Sequence, residues 1–285
     1  MEIKRIAVLG AGTMGSGIAQ VCAESGFDVV LRDISDEFLE RGLGYIKTSL
    51  GRTVKAGKLA ADQVDIVLGR IKPVTSLEEA ARDADYVIEA VPEILDLKKE
   101  TFAELDRIVR PEVVLGSNTS NLSVTAMASA TKRPERVCGM HWFNPPQMMR
   151  LIEIVKAVQT SDEAIQITRD LSTALGRRSV VCKDSSGFIT SRALNAHMLE
   201  CLRIYEEGLA SMEEIDEAIK LALNYPMGPF ELADLIGIDV MIHSGKGMEE
   251  AFGERMKMPQ TLIKMAEAGR YGRKTGKGFY DYTKK

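Results

Sequence analysis

Short β-branched runs alternate with amphipathic stretches through the first 183 residues, the pattern of a parallel sheet carrying helices on both faces. Residues 5–9 predict a first strand that stops at Gly10. Residues 14–25 then repeat apolar side chains at helical spacing through Ile18, Val21 and Cys22, and Gly26 closes the segment where helices tend to stop. A second strand is expected at 28–33, and others at 71–74, 85–90, 113–117, 137–142, 151–157 and 178–183. Helices are expected at 77–82 and 95–109, and before the last strand a helix capped by Thr160-Ser161-Asp162. Residues 36–68 are helical but too long for an ordinary crossover, and Gly57-Lys58 predicts a break between two antiparallel helices projecting from the sheet. Past Lys183 the strands cease. Helices at 190–207, 212–223, 230–246 and 260–268 predict an all-α second domain with a Gly/Lys-rich tail, so the expected domains are 1–184, with the hairpin inserted at 36–68, and 185–285.

Length agrees with two domains, since 285 residues exceed the roughly 100–200 usual for one. With 37 Lys+Arg against 41 Asp+Glu the net charge is −4, and no run of five like charges occurs, so no nucleic-acid footprint is present. No apolar run approaches the ~18 residues that span a bilayer, and the run at 6–9 is too short for a signal peptide, so a cytoplasmic protein without membrane contact is expected. Cys22, Cys138, Cys182 and Cys201 form no C-x-x-C pair and read as small buried hydrophobes kept reduced.

Between the first strand and the first helix lies Gly10-Ala11-Gly12-Thr13-Met14-Gly15. In that setting the first glycine serves a tight turn, the second lets backbone N–H groups approach a pyrophosphate, and the third lets the helix pack on the strand. Asp33 ends the second strand, where a carboxylate accepts hydrogen bonds from a ribose and repels a 2′-phosphate. The fold class is therefore α/β, a Rossmann-type doubly wound N-terminal domain with an all-α C-terminal domain, and the cofactor is NAD. Arg32 is a complication because a neighbouring Arg accommodates a 2′-phosphate, but strand alternation aims it away from Asp33.

Of the histidines at 141, 197 and 243, His141 stands out by ending a predicted strand before Trp142-Phe143-Asn144-Pro145-Pro146. Open α/β sheets bind ligands outside the carboxyl ends of their strands. Glu153 follows on the next strand, and a His–carboxylate pair suits alcohol oxidation: the imidazole takes the hydroxyl proton while the carboxylate fixes its tautomer. Spacing alone leaves open whether these two meet or are a core histidine and a surface glutamate.

The sequence resembles the L-3-hydroxyacyl-CoA dehydrogenase family, and most closely its short bacterial (S)-3-hydroxybutyryl-CoA branch. The resemblance is carried by GAGTMGSGIAQ at Gly10 to Gln20, EAVPE at Glu89 to Glu93, SNTS at Ser117 to Ser120 and HWFNPP at His141 to Pro146. RLIEI around Glu153, YPMGPFELADLIGID at Tyr225 to Asp239 and KTGKGFYDY at Lys274 to Tyr282 extend it over nearly the whole chain. It implies NAD-dependent oxidation of a 3-hydroxyacyl-CoA, His141 as general base with Glu153 its partner, and Ser120 hydrogen-bonded to the substrate oxygen and touching cofactor. Glu93, Lys98, Asn144 and Lys274 fall where the family contacts NAD. Residues 36–68 fall where it meets CoA, with Ser49 and Lys55 as contacts, Lys55 reading equally as a solvated helix face. A homodimer through the helical domain is also implied, beside the alternative of an ordinary small-domain core.

One departure is informative. The family usually has Asn-Arg after PGF and two apolar residues, whereas this chain reads Ser186-Gly187-Phe188-Ile189-Thr190-Ser191-Arg192. Ser191 replaces the active-site amide with a shorter hydroxyl, which implies reduced activity or a different acyl group, dicarboxylic and aromatic acyl groups included. Two further readings compete: a lambda-crystallin-like dehydrogenase acting on a free hydroxy acid, and a silent NAD-binding protein.

Overall fold

The computed structural model describes residues 2–283; Met1 and the last two residues of the second expected domain lie outside them. The chain divides into two compact units, Met1–Ser185 and Ser186–Lys285.

In the first unit the strands are β1 (Arg5–Leu9), β2 (Asp28–Arg32), β3 (Ile71–Val74), β4 (Tyr86–Glu89), β5 (Val114–Ser117), β6 (Val137–Trp142), β7 (Leu151–Lys156) and β8 (Arg178–Lys183). Among the described residues they form one sheet in the order β3-β2-β1-β4-β5-β6-β7-β8. The helices are α1 (Thr13–Glu24), α2 (Asp36–Lys55), α3 (Gln63–Gly69), α4 (Leu77–Ala81), α5 (Leu95–Ile108), α6 (Val124–Ala128) and α7 (Asp162–Ala174). The central strands read as continuous apolar runs because both faces are covered: Ile6, Ala7, Val8 and Leu9 of β1 and Tyr86, Val87 and Ile88 of β4 are fully buried. Strand order reverses between β1 and β4, and a crevice for a ligand opens at the carboxyl ends of strands at such a point.

The sheet is not wholly parallel, contrary to the expectation. β7 runs antiparallel to β6 because residues 143–150, with no helix among them, connect the two, too little chain for a crossover that would restore the direction. α6 lies outside the expected elements, and its start is set by Ser123 Oγ accepting from Ala126 N at 3.1 Å.

The second unit is helical: α8 (Thr190–Glu206), α9 (Met212–Leu223), α10 (Pro229–Ile236), α11 (Ile238–Phe252) and α12 (Gln260–Glu267). The single helix expected at 230–246 is two helices, because Gly237 takes φ 102°, outside the helical region, and stops α10. Phe230, Met241, Met248, Leu262 and Phe279 fill its core. Buried Asp234 accepts from Phe279 N (2.8 Å) and Tyr280 N (2.9 Å) and so fastens the tail. Asp216 accepts from Phe230 N (2.7 Å), Glu231 N (3.0 Å) and Tyr280 Oη (2.8 Å). Burial and the carboxylate of Asp216 together push the Tyr280 phenol well up. Among the described residues no helix is long and apolar enough to cross a membrane, and no cluster of side chains could hold a metal.

Candidate active site

The glycine motif leaves β1 at the strand-order reversal. Gly10 has φ 101°, and a Cβ there would lie 2.5 Å from Ala90 O at the end of β4, so both conformation and space require glycine. A Cβ on Gly15 would fall 1.8 Å from Gly10 O, which is how closely α1 packs against its own entry turn. Around Gly12, by contrast, nothing lies within 4 Å of the Cβ position, and no side chain caps α1. Gly12 and Thr13 are exposed and Met14 half-buried, so the start of α1 lies open, a cradle that fits a pyrophosphate. Asp33 Oδ2 accepts from Ala11 N at 2.6 Å and Oδ1 from Ile34 N at 2.7 Å, which fixes the carboxylate at the end of β2 with lone pairs to spare for a ribose. Arg32 turns elsewhere, its Nε donating to Thr75 O at 3.0 Å. These residues fit NAD.

Beside this cradle the ends of β4 and β5 are joined. Glu93 accepts from Thr119 Oγ1 (2.5 Å), Ser120 N (2.9 Å) and Asn121 N (3.3 Å), so it braces the segment that carries Ser120. Lys98 is 1% exposed, with Nζ 2.6 Å from Glu89 Oε1 and 3.3 Å from Glu93 Oε2. Asn118 Oδ1 accepts from Trp142 N at 2.9 Å and links the same segment to β6.

The carboxyl end of β6 holds the titratable pair. His141 and Glu153 are direct cross-strand partners in the antiparallel register, 3% and 0% exposed, with Nδ1 and Oε2 2.8 Å apart. A carboxylate only accepts, so Nδ1 carries a proton in this bond, and the neutral imidazole held this way has its lone pair on Nε2. The Phe143 ring packs tilted against the imidazole at 4.5 Å. The segment that follows, with exposed Asn144, is seated on α1: Gln147 Nε2 donates to buried Gln20 Oε1 at 3.0 Å, and Gly17 leaves room for Pro146. Arg177 Nη2 adds a bond to Pro146 O at 3.1 Å.

Of the cysteines, Cys22, Cys138 and Cys201 are buried as expected, but Cys182 is only half-buried, since β8 is an edge strand. Burial, then the charge of Glu153, pushes the Cys182 thiol up to about 11, so it is no thiolate nucleophile at neutral pH.

The remaining candidates are spread more widely. Ser49 is half-buried on α2 while Lys55 is exposed at that helix's end, about one and two-thirds turns further on and so on a different face. In the helical unit, Ser191 is half-buried in the first turn of α8. Lys274 Nζ lies 2.5 Å from both carboxylate oxygens of Asp239. Sequence reasoning passed over Glu89, Asn118, Gln20 and Gln147. Only their places inside or beside the motifs could have flagged them, because a buried hydrogen bond between distant residues leaves no periodic signal.

Known proteins resemble this chain in both sequence and fold. Residues 5–185 match the family described as 3-hydroxyacyl-CoA dehydrogenase, NAD binding domain, and residues 187–282 match 3-hydroxyacyl-CoA dehydrogenase, C-terminal domain. The chain is 44% identical over 279 residues to a probable 3-hydroxybutyryl-CoA dehydrogenase of Deinococcus radiodurans, covering 98% of this chain and 100% of that one. It is 39% identical to the human mitochondrial hydroxyacyl-coenzyme A dehydrogenase, with 98% and 91% covered. The crystal structure of (S)-3-hydroxybutyryl-CoA dehydrogenase from Ralstonia eutropha superposes with a TM-score of 0.94 at 41% identity, covering 99% of this chain and 100% of that one. With both family domains matched along almost its entire length, this chain belongs to the 3-hydroxyacyl-CoA dehydrogenase family.

Proposed function

We propose that the chain catalyses the reversible, NAD-dependent oxidation of a short (S)-3-hydroxyacyl-CoA, 3-hydroxybutyryl-CoA foremost, to the 3-ketoacyl-CoA. The observation that carries this reading is the buried His141–Glu153 pair at the carboxyl end of β6. His141 Nε2 takes the C3-hydroxyl proton, and Glu153 stabilises the imidazolium that results. NAD, when bound, supplies the hydride acceptor. Ser120, on the segment braced by Glu93, hydrogen-bonds the oxygen on which charge develops, and Asn144 stands on the segment that follows His141. Gly10, Gly12, Thr13, Met14, Gly15 and Asp33 hold the cofactor, Glu93 and Lys98 brace its surroundings from beneath, and Ser49 and Lys55 meet the CoA moiety.

The helical unit, 185–285 in this reading, serves the substrate through Ser191 and forms a homodimer. Leu209, Leu221, Leu223, Leu235 and Val240 are exposed apolar side chains in this unit, surface that a second copy covers in this reading. Four unpaired cysteines suit a reducing, cytoplasmic setting.

The test is oxidation of NADH, with NADPH in parallel, by purified protein given acetoacetyl-CoA or free acetoacetate. Turnover with the thioester and NADH alone is expected. Turnover of the free acid would favour a hydroxy-acid dehydrogenase, and NADH binding without turnover of either would favour a silent protein. Ser191 is the one residue that favours a second reading, an acyl group other than butyryl.

A further inference from the structure

Glu89 ends β4 with its side chain wholly buried, yet the motifs assign it nothing. Its carboxylate takes three donors: Val91 N at 2.7 Å, Lys98 Nζ at 2.6 Å and Ser117 Oγ at 2.6 Å. Glu89 and Ser117 are register partners in the β4–β5 pair, so this one side chain ties together the ends of two neighbouring strands. The Lys98 ammonium, buried as deeply, also donates to Val91 O at 3.2 Å and reaches Glu93 at 3.3 Å. Glu93 in turn holds Thr119, Ser120 N and Asn121 N. The chain of contacts thus runs from Glu89 through Lys98 and Glu93 to the backbone of Ser120.

A lysine buried in this way is tolerated only with carboxylates against it, and here two carboxylates share one ammonium. With Glu89 ionised, Lys98 is anchored deep in the sheet, and Glu93 keeps oxygens turned to the 119–121 backbone. With that charge removed, the ammonium is left with one carboxylate partner and is drawn toward it, and the displacement of Glu93 passes directly into Ser120.

We propose that Glu89 is a positioning residue for the reaction, acting through Lys98 and Glu93 to fix Ser120. The proposal rests on the reading of Ser120 as a substrate contact. A purely structural role would lower thermal stability and leave turnover by the folded enzyme unchanged.

A double-mutant cycle on the full chain tests it, with Glu89→Gln, Ser120→Ala and the double variant reducing acetoacetyl-CoA with NADH. NADH affinity by fluorescence titration and Tm are read beside kcat. Since a displacement near 1 Å costs on the order of 100-fold in rate, Glu89→Gln is expected to lower kcat by at least about tenfold, a larger factor than any accompanying fall in NADH affinity. In the Ser120→Ala background the same substitution is expected to cost less than about twofold, because coupled residues are non-additive. Costs that simply add, or a lower Tm at unchanged kcat, overturn the proposal. If Ser120→Ala alone leaves kcat unchanged, the role of Ser120 falls and the proposal with it. That outcome is distinct from an additive cycle, in which Ser120 stands and Glu89 does not act through it. Should Glu89→Gln fail to fold, Glu89→Asp, which keeps the charge but shortens its reach to Lys98, enters the same cycle and is judged by the same outcomes.

Discussion

His141 and Glu153 face each other directly across the antiparallel pair of β6 and β7, and the 2.8 Å between Nδ1 and Oε2 follows from that register. Side chains alternate along a strand, so a slip by one residue would turn Glu153 to the opposite face of the sheet. The neighbours in register, Met140 with Ile154 and Trp142 with Ile152, are buried apolar pairs that hold the alignment. General base catalysis is worth about 10²–10⁴-fold, and His141→Ala is expected to lose that much in kcat. Glu153→Gln should lose about 10²-fold or more, because the amide neither fixes the tautomer reliably nor stabilises the imidazolium. NADH affinity should stay within about threefold in both variants, as neither side chain is read as a cofactor ligand. Steady-state kinetics with parallel NADH titrations would check this; an active His141→Ala enzyme would end the assignment.

The second and third glycines of the motif should fail in different ways. A Cβ on Gly15 meets Gly10 O at 1.8 Å, whereas one on Gly12 meets nothing within 4 Å. Gly12 also has φ −70°, which alanine adopts without strain. Gly12→Ala should therefore fold with wild-type Tm and lose cofactor affinity, because the methyl group fills the cradle at the start of α1. Gly15→Ala should be destabilised by about 1–3 kcal/mol or more through overpacking against backbone. Thermal melts with and without NADH separate the two.

Asp33 sets the choice of nicotinamide cofactor in this reading. Replacing it by Ser removes the charge that repels a 2′-phosphate and the acceptor of the Ala11 N–H. NADH is expected to lose about tenfold in kcat/KM and NADPH to gain, since ~1.4 kcal/mol corresponds to a factor of ten. An unchanged NADH/NADPH ratio would show that selectivity lies elsewhere.

Ser191→Asn should show what the departure at the start of α8 does. A positioned hydrogen bond is worth about 1–1.5 kcal/mol, so the asparagine should raise kcat/KM on acetoacetyl-CoA by about five- to tenfold if the natural acyl group is not butyryl. Rates over a series of 3-ketoacyl-CoA thioesters check this, and a uniform fall with every thioester would mark the hydroxyl as the adapted group.

The sequence alone determined the elements that local physics can set. The β-branched run at 6–9, Gly10 to Gly15 and Asp33 specify strand, turn, helix start and strand end within about thirty residues. Motif spacing was also enough to single out His141 and Glu153, and alternation correctly turned Arg32 from Asp33. What it could not resolve was set by partners far along the chain. The direction of β7, and so the meeting of His141 with Glu153, depends on how residues 143–150 return to the sheet edge, which hydrophobic alternation does not encode. The split between α10 and α11 hangs on one glycine at positive φ inside an unbroken helical pattern. Lys98 is marked in the sequence only by the resemblance, as a residue near NAD, and only packing puts it between Glu89 and Glu93, with its charge satisfied inside the sheet. Local propensity and periodicity are properties of neighbours in sequence; the pairing of buried polar groups is a property of neighbours in space, and only the tertiary structure decides it.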